Sequence, residues 1–323
     1  MPSRRSLPRR WALAATAPWA VWAVLRATGA ERGFPLVPAL SFTPHAAATA
    51  LLPLALAATA RSRPAAVVAA GSLVALAGAV LLSARRPRPT GSLPSGTRLR
   101  VATVSLRLGL VPPGPVLDLV RDQDIDLLAV QELTPAAEAA LRAAGIDELL
   151  PHAHVLPAQP GSVPAASGAV WTRIPVGDRS RVPGGFEQPT VRLTVDGGRP
   201  VDVTSVHTVP PATSPAAVRG WTQDLSALPA PSSDVLRVLA GDFNATFDHA
   251  ALRAVLALGY DDAARATGQG RTWTWRPLRL RFPRLVLDHV LVDPRIAVAS
   301  VDFVAVTGSD HRAVVAELVL PAG

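Results

Sequence analysis

Val-Leu-Arg-Val-Leu-Ala-Gly-Asp-Phe-Asn, residues 235–244, decides the fold, because an apolar run ends there abruptly in polar side chains. The run at 235–240 has the length and composition of a buried β-strand. A strand that stops at a glycine and then presents Asp242 and Asn244 places both side chains at the edge of a sheet, where functional groups reach solvent. The stretch therefore predicts a sheet edge that carries chemistry.

Other apolar runs of the chain also end in polar residues. The predicted elements are strands at 99–106 and 125–130, helices at 115–121 and 135–144, a hairpin over 191–207 with its turn at 196–198, and strands at 285–292, 296–306 and 313–320. The polar residues at or just after strand ends are Glu132, His207, Asp242, Asn244, Asp310 and His311. A single strand-end acid is usually a turn or cap residue, so the recurrence indicates one shared site.

Four short motifs occur in an order that is typical of one enzyme family. They are Leu-Leu-Ala-Val-Gln-Glu-Leu at 127–133, Gly-Asp-Phe-Asn at 241–244, Leu-Asp-His-Val at 287–290 and Ser-Asp-His at 309–311. Their order resembles the endonuclease/exonuclease/phosphatase family of DNase I-like, metal-dependent phosphoesterases. The resemblance covers residues 98–320 and implies an α/β fold, a four-layer sandwich of two packed β-sheets flanked by helices.

The resemblance assigns metal binding to two carboxylates. Glu132 is the expected ligand of Mg²⁺, with Mn²⁺ or Ca²⁺ as alternatives, and Asp310 is a second ligand or acts through water. Asp242 would orient or deprotonate the attacking water, and Asn244 would donate hydrogen bonds to the phosphate. Residues at i and i+2 point the same way in an extended segment, which suits this pair.

The resemblance also gives roles to two histidines. His311 would contact the scissile phosphate, and Asp288 would hold its imidazole in position and favour the charged form. His207 would be a general acid or stabilise the transition state; a surface residue at a hairpin end is the alternative. His289 should face away from Asp288 on the same strand and stays outside the site.

Two further residues are candidates for substrate binding. The family usually has an asparagine where this chain has Ser105, and the shorter serine reaches less far toward a phosphate. Arg276 closes the stretch Arg-Thr-Trp-Thr-Trp-Arg, whose alternation places Trp273 and Trp275 on one face. This stretch would border the catalytic edge and bind phosphate or lipid headgroups, whereas a packed tryptophan pair with solvated arginines is the alternative.

Charge and cysteine content exclude some classes of site. The chain has no cysteine, so disulfides and thiolate metal sites are excluded. Its formal net charge is +8. The first 96 residues hold eleven arginines and one acid, Glu31, whereas the remainder has a net charge of −2. The basic charge therefore belongs to the N-terminal part, and the catalytic part has no evident dedicated nucleic-acid surface.

The N-terminal part predicts a membrane anchor. Apolar runs at 11–25, 36–60 and 65–82 are each close to the ~20 residues that cross a bilayer, which predicts about three transmembrane helices. The expected organisation is an anchor at 1–84, a Pro/Gly/Ser/Arg linker at 85–97 and the catalytic domain at 98–323.

Arginine clusters indicate the orientation of this multi-pass cell-membrane protein. Clusters before the first run and between the second and third runs favour the cytoplasm, so the catalytic domain is expected outside it. Arg85, Arg86 and Arg88 oppose that assignment. A twin-arginine export signal at the first run is the alternative to a first span.

The leading hypothesis is a membrane-anchored, divalent-metal-dependent phosphoesterase. Its substrate is a phosphodiester or phosphomonoester, and the sequence does not separate a nuclease from a lipid or headgroup phosphodiesterase. A catalytically weakened membrane module that keeps the fold is the alternative, with Ser105 as its first sign. A serine hydrolase is disfavoured, because no Gly-x-Ser-x-Gly turn occurs and Ser309, Asp310 and His311 are consecutive. The sequence does not indicate an oligomeric state.

Overall fold

The strands predicted near residues 130 and 240 lie in two different sheets of the structure, a computed structural model that describes residues 9–84, 95–195 and 198–321. The helices are α1 (Arg9–Ala14), α2 (Ala17–Thr28), α3 (Leu36–Leu40), α4 (Thr43–Thr49), α5 (Leu51–Thr59), α6 (Arg63–Ala84), α7 (Pro113–Asp122), α8 (Pro135–Ala143), α9 (Ile146–Leu149), α10 (Pro215–Ser226), α11 (Ala250–Ala257) and α12 (Ala263–Ala266), with a 3₁₀ turn at Pro164–Ala166. The strands are β1 (Gly96–Ser105), β2 (Leu127–Gln131), β3 (His152–Leu156), β4 (Gly168–Thr172), β5 (Val176–Val182), β6 (Gln188–Leu193), β7 (Val201–His207), β8 (Leu236–Asp242), β9 (Asp261–Asp262), β10 (Asp288–Val292), β11 (Ala297–Ala305) and β12 (Arg312–Pro321).

The two sheets have mixed topology. The first has the strand order β11-β12-β1-β2-β4-β3 and the second β5-β6-β7-β8-β10-β9. Within each sheet one pair is parallel, β1 with β2 and β7 with β8. Parallel neighbours end at the same edge, and the registers place Ser105 opposite Gln131 and His207 opposite Asp242. Each sheet therefore brings two polar strand ends together.

Glycine is required where β7 and β8 run closest. A Cβ added at Gly241 would overlap the backbone carbonyl of Val206. The glycine in Gly-Asp-Phe-Asn thus allows the two strands to approach directly before Asp242.

Apolar side chains of the two sheets form the central layer of the core. Leu99 and Leu127 of the first sheet and Val203 and Val238 of the second belong to one buried cluster. A second cluster packs α7, α8 and α9 on the outer face of the first sheet, and a third packs α10 and α11 on the outer face of the second. Two six-stranded sheets flanked by helices confirm the predicted α/β sandwich.

The covering helices begin where the sequence supplies caps. Thr134 and Ser214 each precede a proline, and their hydroxyls accept hydrogen bonds from the N–H groups of Ala137 and Ala217, at 3.2 and 3.1 Å. Proline fits the first helical position because it lacks an N–H that would stay unpaired there.

A hydrogen-bonded network joins the two sheets beside their polar edge. The side-chain amide of Gln131 donates to Ser205 Oγ at 2.9 Å, and that hydroxyl donates to the carbonyl of Val130 at 3.2 Å. Thr103 Oγ1 donates to Gln131 Oε1 at 2.9 Å. All three side chains are buried, so the network aligns the sheets without leaving these polar atoms unpaired.

The prediction of about three transmembrane helices is wrong for the described residues. Only α6, with 22 residues, is both long and apolar enough to cross a membrane by length and composition. The first two apolar runs form five shorter helices, of which α2 is the longest with 12 residues. Pro18, Pro35 and Pro44 lie at helix starts and Gly29 ends α2 at a φ of 68°, so the chain turns repeatedly instead of spanning. The multi-pass arrangement, and the outward orientation that depended on three spans, have no support there.

Two boundaries that the sequence predicted differ from those in the structure. β1 begins at Gly96, inside the predicted linker, and residues 85–94 of that linker lie outside the described residues. The predicted hairpin is formed by β6 and β7, whereas residues 196–197 of its turn also lie outside the described residues.

The helical N-terminal part is attached to the sandwich by polar contacts near α11. Asp248 is fully buried and accepts hydrogen bonds from Arg26 of α2 at 2.8 Å and from Arg271 at 2.9 Å. We refer to these three residues as the Asp248 junction. Next to it, His249 Nε2 lies 2.9 Å from the carbonyl of Val37 in α3. The N-terminal helices therefore share an interface with the sandwich.

Candidate active site

The polar strand ends of both sheets converge on one edge. Ser105 and Glu132 lie at the ends of β1 and β2, and His207 and Asp242 lie at the ends of β7 and β8. β10 and β12 run antiparallel to β8 and β1, so Asp288 and the residues before Arg312 reach the same edge at their N-terminal ends. The sequence predicted this convergence from residues far apart in the chain.

A buried histidine lies between two aspartates. His311 Nδ1 is 2.8 Å from Asp288 Oδ2, and His311 Nε2 is 3.9 Å from Asp242 Oδ2. Ligand-type atoms of these three residues all lie within 4.8 Å of one another. Asp288 therefore holds the imidazole, as the resemblance implied, and the opposite ring nitrogen faces Asp242.

The charges in this group depend on one another. Burial disfavours a charged imidazole, but Asp288 and Asp242 outweigh it and raise the pKa of His311 to about 10. Burial, together with the negative charge of Asp288, raises the pKa of Asp242 to about 8. His311 is thus a cation at neutral pH, whereas Asp242 is largely protonated there and becomes a proton acceptor as the pH rises through about 8.

A histidine that carries a proton on both ring nitrogens is a poor metal ligand. Metal-bound imidazole must present an unprotonated nitrogen, whereas His311 keeps its proton and forms an ion pair with Asp288. Ligand-type atoms of Asp242, Asp288 and His311 lie close enough together to hold a metal ion, and the ion pair between His311 and Asp288 also suits the group to proton transfer. A hard cation is better served by the oxygen atoms of Glu132 and Asp310.

Glu132 is held in a constrained conformation directly after β2. Its backbone has a φ of 55°, and Oε2 accepts a hydrogen bond from the N–H of Leu108. Burial raises the pKa of Glu132, and the charges of Asp310 and Asp288 add to that effect. A carboxylate that nearby negative charges destabilise gains from a bound cation, which fits the predicted metal role.

Asp310 lies beside a tryptophan. The indole Nε1–H of Trp275 donates to Asp310 Oδ2 at 3.1 Å, and the backbone carbonyl of Asp310 accepts from the N–H of Arg276 at 3.1 Å. Within the described ranges, neither Glu132 nor Asp310 forms an ion pair with an arginine or histidine. Both carboxylates therefore keep oxygen atoms available to a cation.

Two hydroxyl groups that the sequence did not single out fix the positions of Asp288 and His311. Thr274 Oγ1 accepts hydrogen bonds from the backbone N–H groups of Leu287 and Asp288 at 2.9 and 3.0 Å. Ser309 Oγ accepts from the N–H of His311 at 3.0 Å and donates to the carbonyl of Ser105 at 2.8 Å. The only sequence signal was their position next to Trp275 and within Ser-Asp-His.

Asn244 does not extend outward as its spacing from Asp242 suggested. Its φ is 46°, so the segment turns after Phe243 instead of continuing as a strand. The N–H of Asn244 donates to Asp242 Oδ1 at 2.9 Å, and its side-chain amide lies 3.3 Å from Asp242 Oδ2 and 3.0 Å from the carbonyl of Thr208. Asn244 therefore orients Asp242, and its predicted hydrogen bond to phosphate remains a prediction.

His207 is buried beside Phe186. The two ring centroids are 4.6 Å apart, and Nδ1 of His207 has no hydrogen-bond partner in the described part of the chain. Burial lowers the pKa of His207 to about 3, and the positive charge of His311 acts in the same direction. His207 is neutral at neutral pH, so it can donate a hydrogen bond but holds no extra proton for a leaving group.

The two substrate-binding candidates lie at different depths. Ser105 is fully buried, and its hydroxyl has no partner among the residues that the structure describes. Arg276 is half-buried; its guanidinium lies 5.5 Å from the centroid of Trp273. His289 faces the other side of β10, where it binds Asp262 at 2.9 Å and the carbonyl of Ala245. It lies outside the site, as strand alternation predicted.

Comparison with known proteins agrees with this fold. A sequence model of the Endonuclease/Exonuclease/phosphatase family matches residues 102–311. A humanised D. rerio TDP2 with 14 mutations superposes with a TM-score of 0.54 at 15% identity, over 68% of this chain and 98% of that one. An endonuclease/exonuclease/phosphatase from Beutenbergia cavernae DSM 12333 gives a TM-score of 0.50 at 23% identity, over 69% and 72%. One from Bacteroides vulgatus gives 0.51 at 16% identity, over 70% and 100%. At these low identities the superpositions show a shared fold. A comparison with curated proteins finds no match.

Proposed function

The chain belongs to the endonuclease/exonuclease/phosphatase family, and we propose that it hydrolyses a phosphate ester with the help of a divalent metal ion. The observation that carries this proposal is the buried Asp288–His311–Asp242 group beside the carboxylates of Glu132 and Asp310. Such a group supplies a proton acceptor and a fixed positive charge at one edge. Hydrolysis of an anionic ester needs both.

The metal would be held by Glu132 and Asp310. Their oxygen atoms suit Mg²⁺, with Mn²⁺ or Ca²⁺ as alternatives, and neither carboxylate has a cationic partner within the described ranges. When bound, such a cation neutralises negative charge on the phosphate and its leaving oxygen. Leu108 and Trp275 orient the two carboxylates by donating hydrogen bonds to them.

Side chains of the catalytic edge have separate roles in the proposed hydrolysis. Asp242 in its ionised form accepts a proton from the attacking water, and Asn244 holds its carboxylate. The imidazolium of His311 donates a hydrogen bond to the phosphate from Nε2, while Asp288 keeps the ring oriented through Nδ1. His207 is a neutral donor on the other side of the edge. The ester remains either a diester or a monoester, of nucleic acid or of a lipid headgroup.

We further propose that α6 anchors the chain in the cell membrane. It is an apolar helix of 22 residues, and Val67, Val74 and Leu82 expose 71%, 72% and 74% of their surface. Large apolar side chains exposed along a helix of this length are favourable in hydrocarbon and costly in water. The shorter helices α1, α2, α4 and α5 pack around α6, and the N-terminal helices expose further apolar residues.

Hydrolysis of a soluble aryl phosphodiester by the full chain in detergent tests the proposed activity. We expect Mg²⁺-dependent hydrolysis that EDTA removes and that His311→Ala abolishes. His152→Ala, on the edge strand β3, is the matched control and should keep the activity of the wild type. Hydrolysis that is unchanged by EDTA and by His311→Ala would refute the proposal.

A weakened module that binds without catalysis is the second candidate, favoured by the unpaired hydroxyl of Ser105. It predicts that the full chain binds metal, as calorimetry would show, yet hydrolyses none of a panel of nucleic-acid, phospholipid and sugar-phosphate substrates. Hydrolysis of any of them that is lost on His311→Ala would exclude this candidate.

A further inference from the structure

A loop rich in arginine and apolar residues borders the catalytic edge. Residues 276–284 read Arg-Pro-Leu-Arg-Leu-Arg-Phe-Pro-Arg, and we call them the Arg-Leu loop. Leu278, Leu280 and Phe282 expose 40%, 57% and 64% of their surface, and the arginines between them are also exposed. A soluble protein surface seldom presents large apolar side chains and unpaired cations in strict alternation.

The positive charge of the loop is not neutralised by carboxylates of the described residues. The stretch 271–287 contains five arginines and no acidic residue. Only Arg271 of these forms an ion pair with a described carboxylate, that of Asp248. At the base of the loop, the guanidinium groups of Arg276, Arg284 and Arg312 lie 5.5, 5.2 and 3.7 Å from the centroid of Trp273. An aromatic ring thus takes the place that a carboxylate would otherwise fill.

The loop is attached directly to catalytic residues. Trp275, immediately before it, pairs with His311 through a backbone bridge and donates its indole N–H to Asp310. Leu108, whose N–H binds Glu132, and Leu110 expose 61% and 62% of their surface. Exposed apolar residues therefore lie on segments that contact both proposed metal ligands.

The same segment also holds the end of α6. Arg271, shortly before the loop, donates hydrogen bonds to Ser83 Oγ and to the carbonyl of Val80 at 3.4 Å. If α6 crosses the bilayer, its C-terminal end leaves the membrane where Arg271 begins the stretch that leads to the loop. The loop is then within reach of the headgroups.

We propose that the Arg-Leu loop docks the catalytic edge on an anionic phospholipid bilayer. Guanidinium groups bind lipid phosphates, while leucine and phenylalanine side chains enter the boundary between headgroups and acyl chains. This inference rests on the proposed function and adds the surface on which the site works. A phosphate ester held in the same bilayer would reach Asp310 and His311 without leaving that surface.

The absence of cysteine makes a site-specific test direct. Leu280→Cys of the full chain is labelled with an environment-sensitive fluorophore and reconstituted in lipid nanodiscs. Discs of phosphatidylcholine alone are compared with discs that also contain phosphatidylglycerol. We expect a blue shift of the emission in anionic discs that high salt reverses. Emission that is equal in both kinds of disc would overturn the proposal.

Ser300→Cys is the control for position. Ser300 is exposed on the edge strand β11, and its register partner Glu317 pairs with Arg100, near the middle of β1. Its label should emit identically in both kinds of disc. A blue shift at Ser300 equal to that at Leu280 would show general adsorption and overturn docking through the loop.

Charge variants test the role of the arginines. Arg279→Gln combined with Arg281→Gln should remove most of the blue shift at Leu280, because two unpaired cations are lost. Arg179→Gln combined with Arg219→Gln removes the same charge from exposed sites on β5 and α10 and should leave the shift intact. Equal shifts in the two double variants would overturn the proposal.

Two further measurements separate the outcomes. A blue shift caused by single-stranded DNA without lipid, and absent with anionic discs, would overturn lipid docking in favour of a nucleic-acid surface. Hydrolysis of the soluble diester is followed in the same samples. Hydrolysis without the lipid-dependent shift contradicts the docking proposal but not the proposed function. The shift without hydrolysis supports docking and contradicts the proposed function.

Discussion

Nδ1 of His311 lies 2.8 Å from Oδ2 of Asp288, and both side chains are buried. This ion pair leaves Nε2 of the same imidazole facing the site and Asp242. The positive charge of the imidazolium is therefore stabilised from the side of the ring opposite to Asp242.

Asp288→Asn should reduce turnover of a phosphodiester by about 10²-fold or more, because His311 loses the partner that orients it and favours its charge. Steady-state kinetics at saturating substrate measures the effect. Asp262→Asn breaks the equally buried His289–Asp262 pair outside the site and serves as control, since it should change stability without a comparable loss of turnover. Similar turnover in the two variants would contradict the assignment of Asp288.

Glu132→Gln should weaken activation by metal. The amide keeps the size of the side chain but removes its charge, so we expect the Mg²⁺ concentration for half-maximal activity to rise about 10-fold to 100-fold. Titration of activity with Mg²⁺ provides the measurement. Glu138→Gln, on the surface of α8, is the control. An unchanged Mg²⁺ requirement in Glu132→Gln would exclude Glu132 as a metal ligand.

Acid should weaken the attachment of the N-terminal helices through His249. Its Nδ1 accepts from the N–H of Thr246 at 2.9 Å, so the ring has no place for a second proton. Burial lowers the pKa of His249 from 6.5 to about 4. The unfolded chain binds the proton first, so the folded state loses about 3 kcal/mol as pH falls from about 6.5 to about 4, and loses no more below that.

Chemical unfolding of the full chain across this pH range measures the loss. His249→Gln keeps a neutral polar side chain without a titrating group, so its free energy of unfolding should depend less on pH in that window. If wild type and variant show the same pH dependence, His249 is not responsible.

Ser105→Ala should preserve both folding and activity. The hydroxyl is buried without a partner in the described part of the chain, so its removal should change the free energy of unfolding by less than about 1 kcal/mol. Thermal unfolding and kinetics of the same preparation check both expectations. A large rise in KM would instead show that Ser105 contacts the substrate.

The catalytic edge could be predicted because the signal was local. Glu132, Asp242 and His311 each follow or precede an apolar strand within a few residues, and parallel pairing brings such ends together. Contacts between distant segments gave no comparable signal. Trp275 binding to Asp310 and Thr274 binding to the backbone of Asp288 depend on how the 271–287 stretch packs, which spacing alone does not encode.

Backbone conformation accounts for the other differences. Asn244 sits at a positive φ, where asparagine is tolerated, so the extended arrangement expected from its spacing does not form. In the N-terminal part, hydropathy depends on the content of apolar residues and does not show that new helices begin at Pro18, Pro35 and Pro44. Composition therefore predicted the apolar character of this part but overestimated the number of spans.

The hydrogen bond between Gln131 and Ser205 couples the substitutions that are tolerated at two positions in different sheets. Replacing Ser205 alone leaves the buried side-chain amide of Gln131 without its acceptor, and replacing Gln131 alone leaves Ser205 bound only to the carbonyl of Val130. Among homologues that keep this sandwich, substitutions at the two positions should consequently arise in concert, as pairs that are both polar or both apolar.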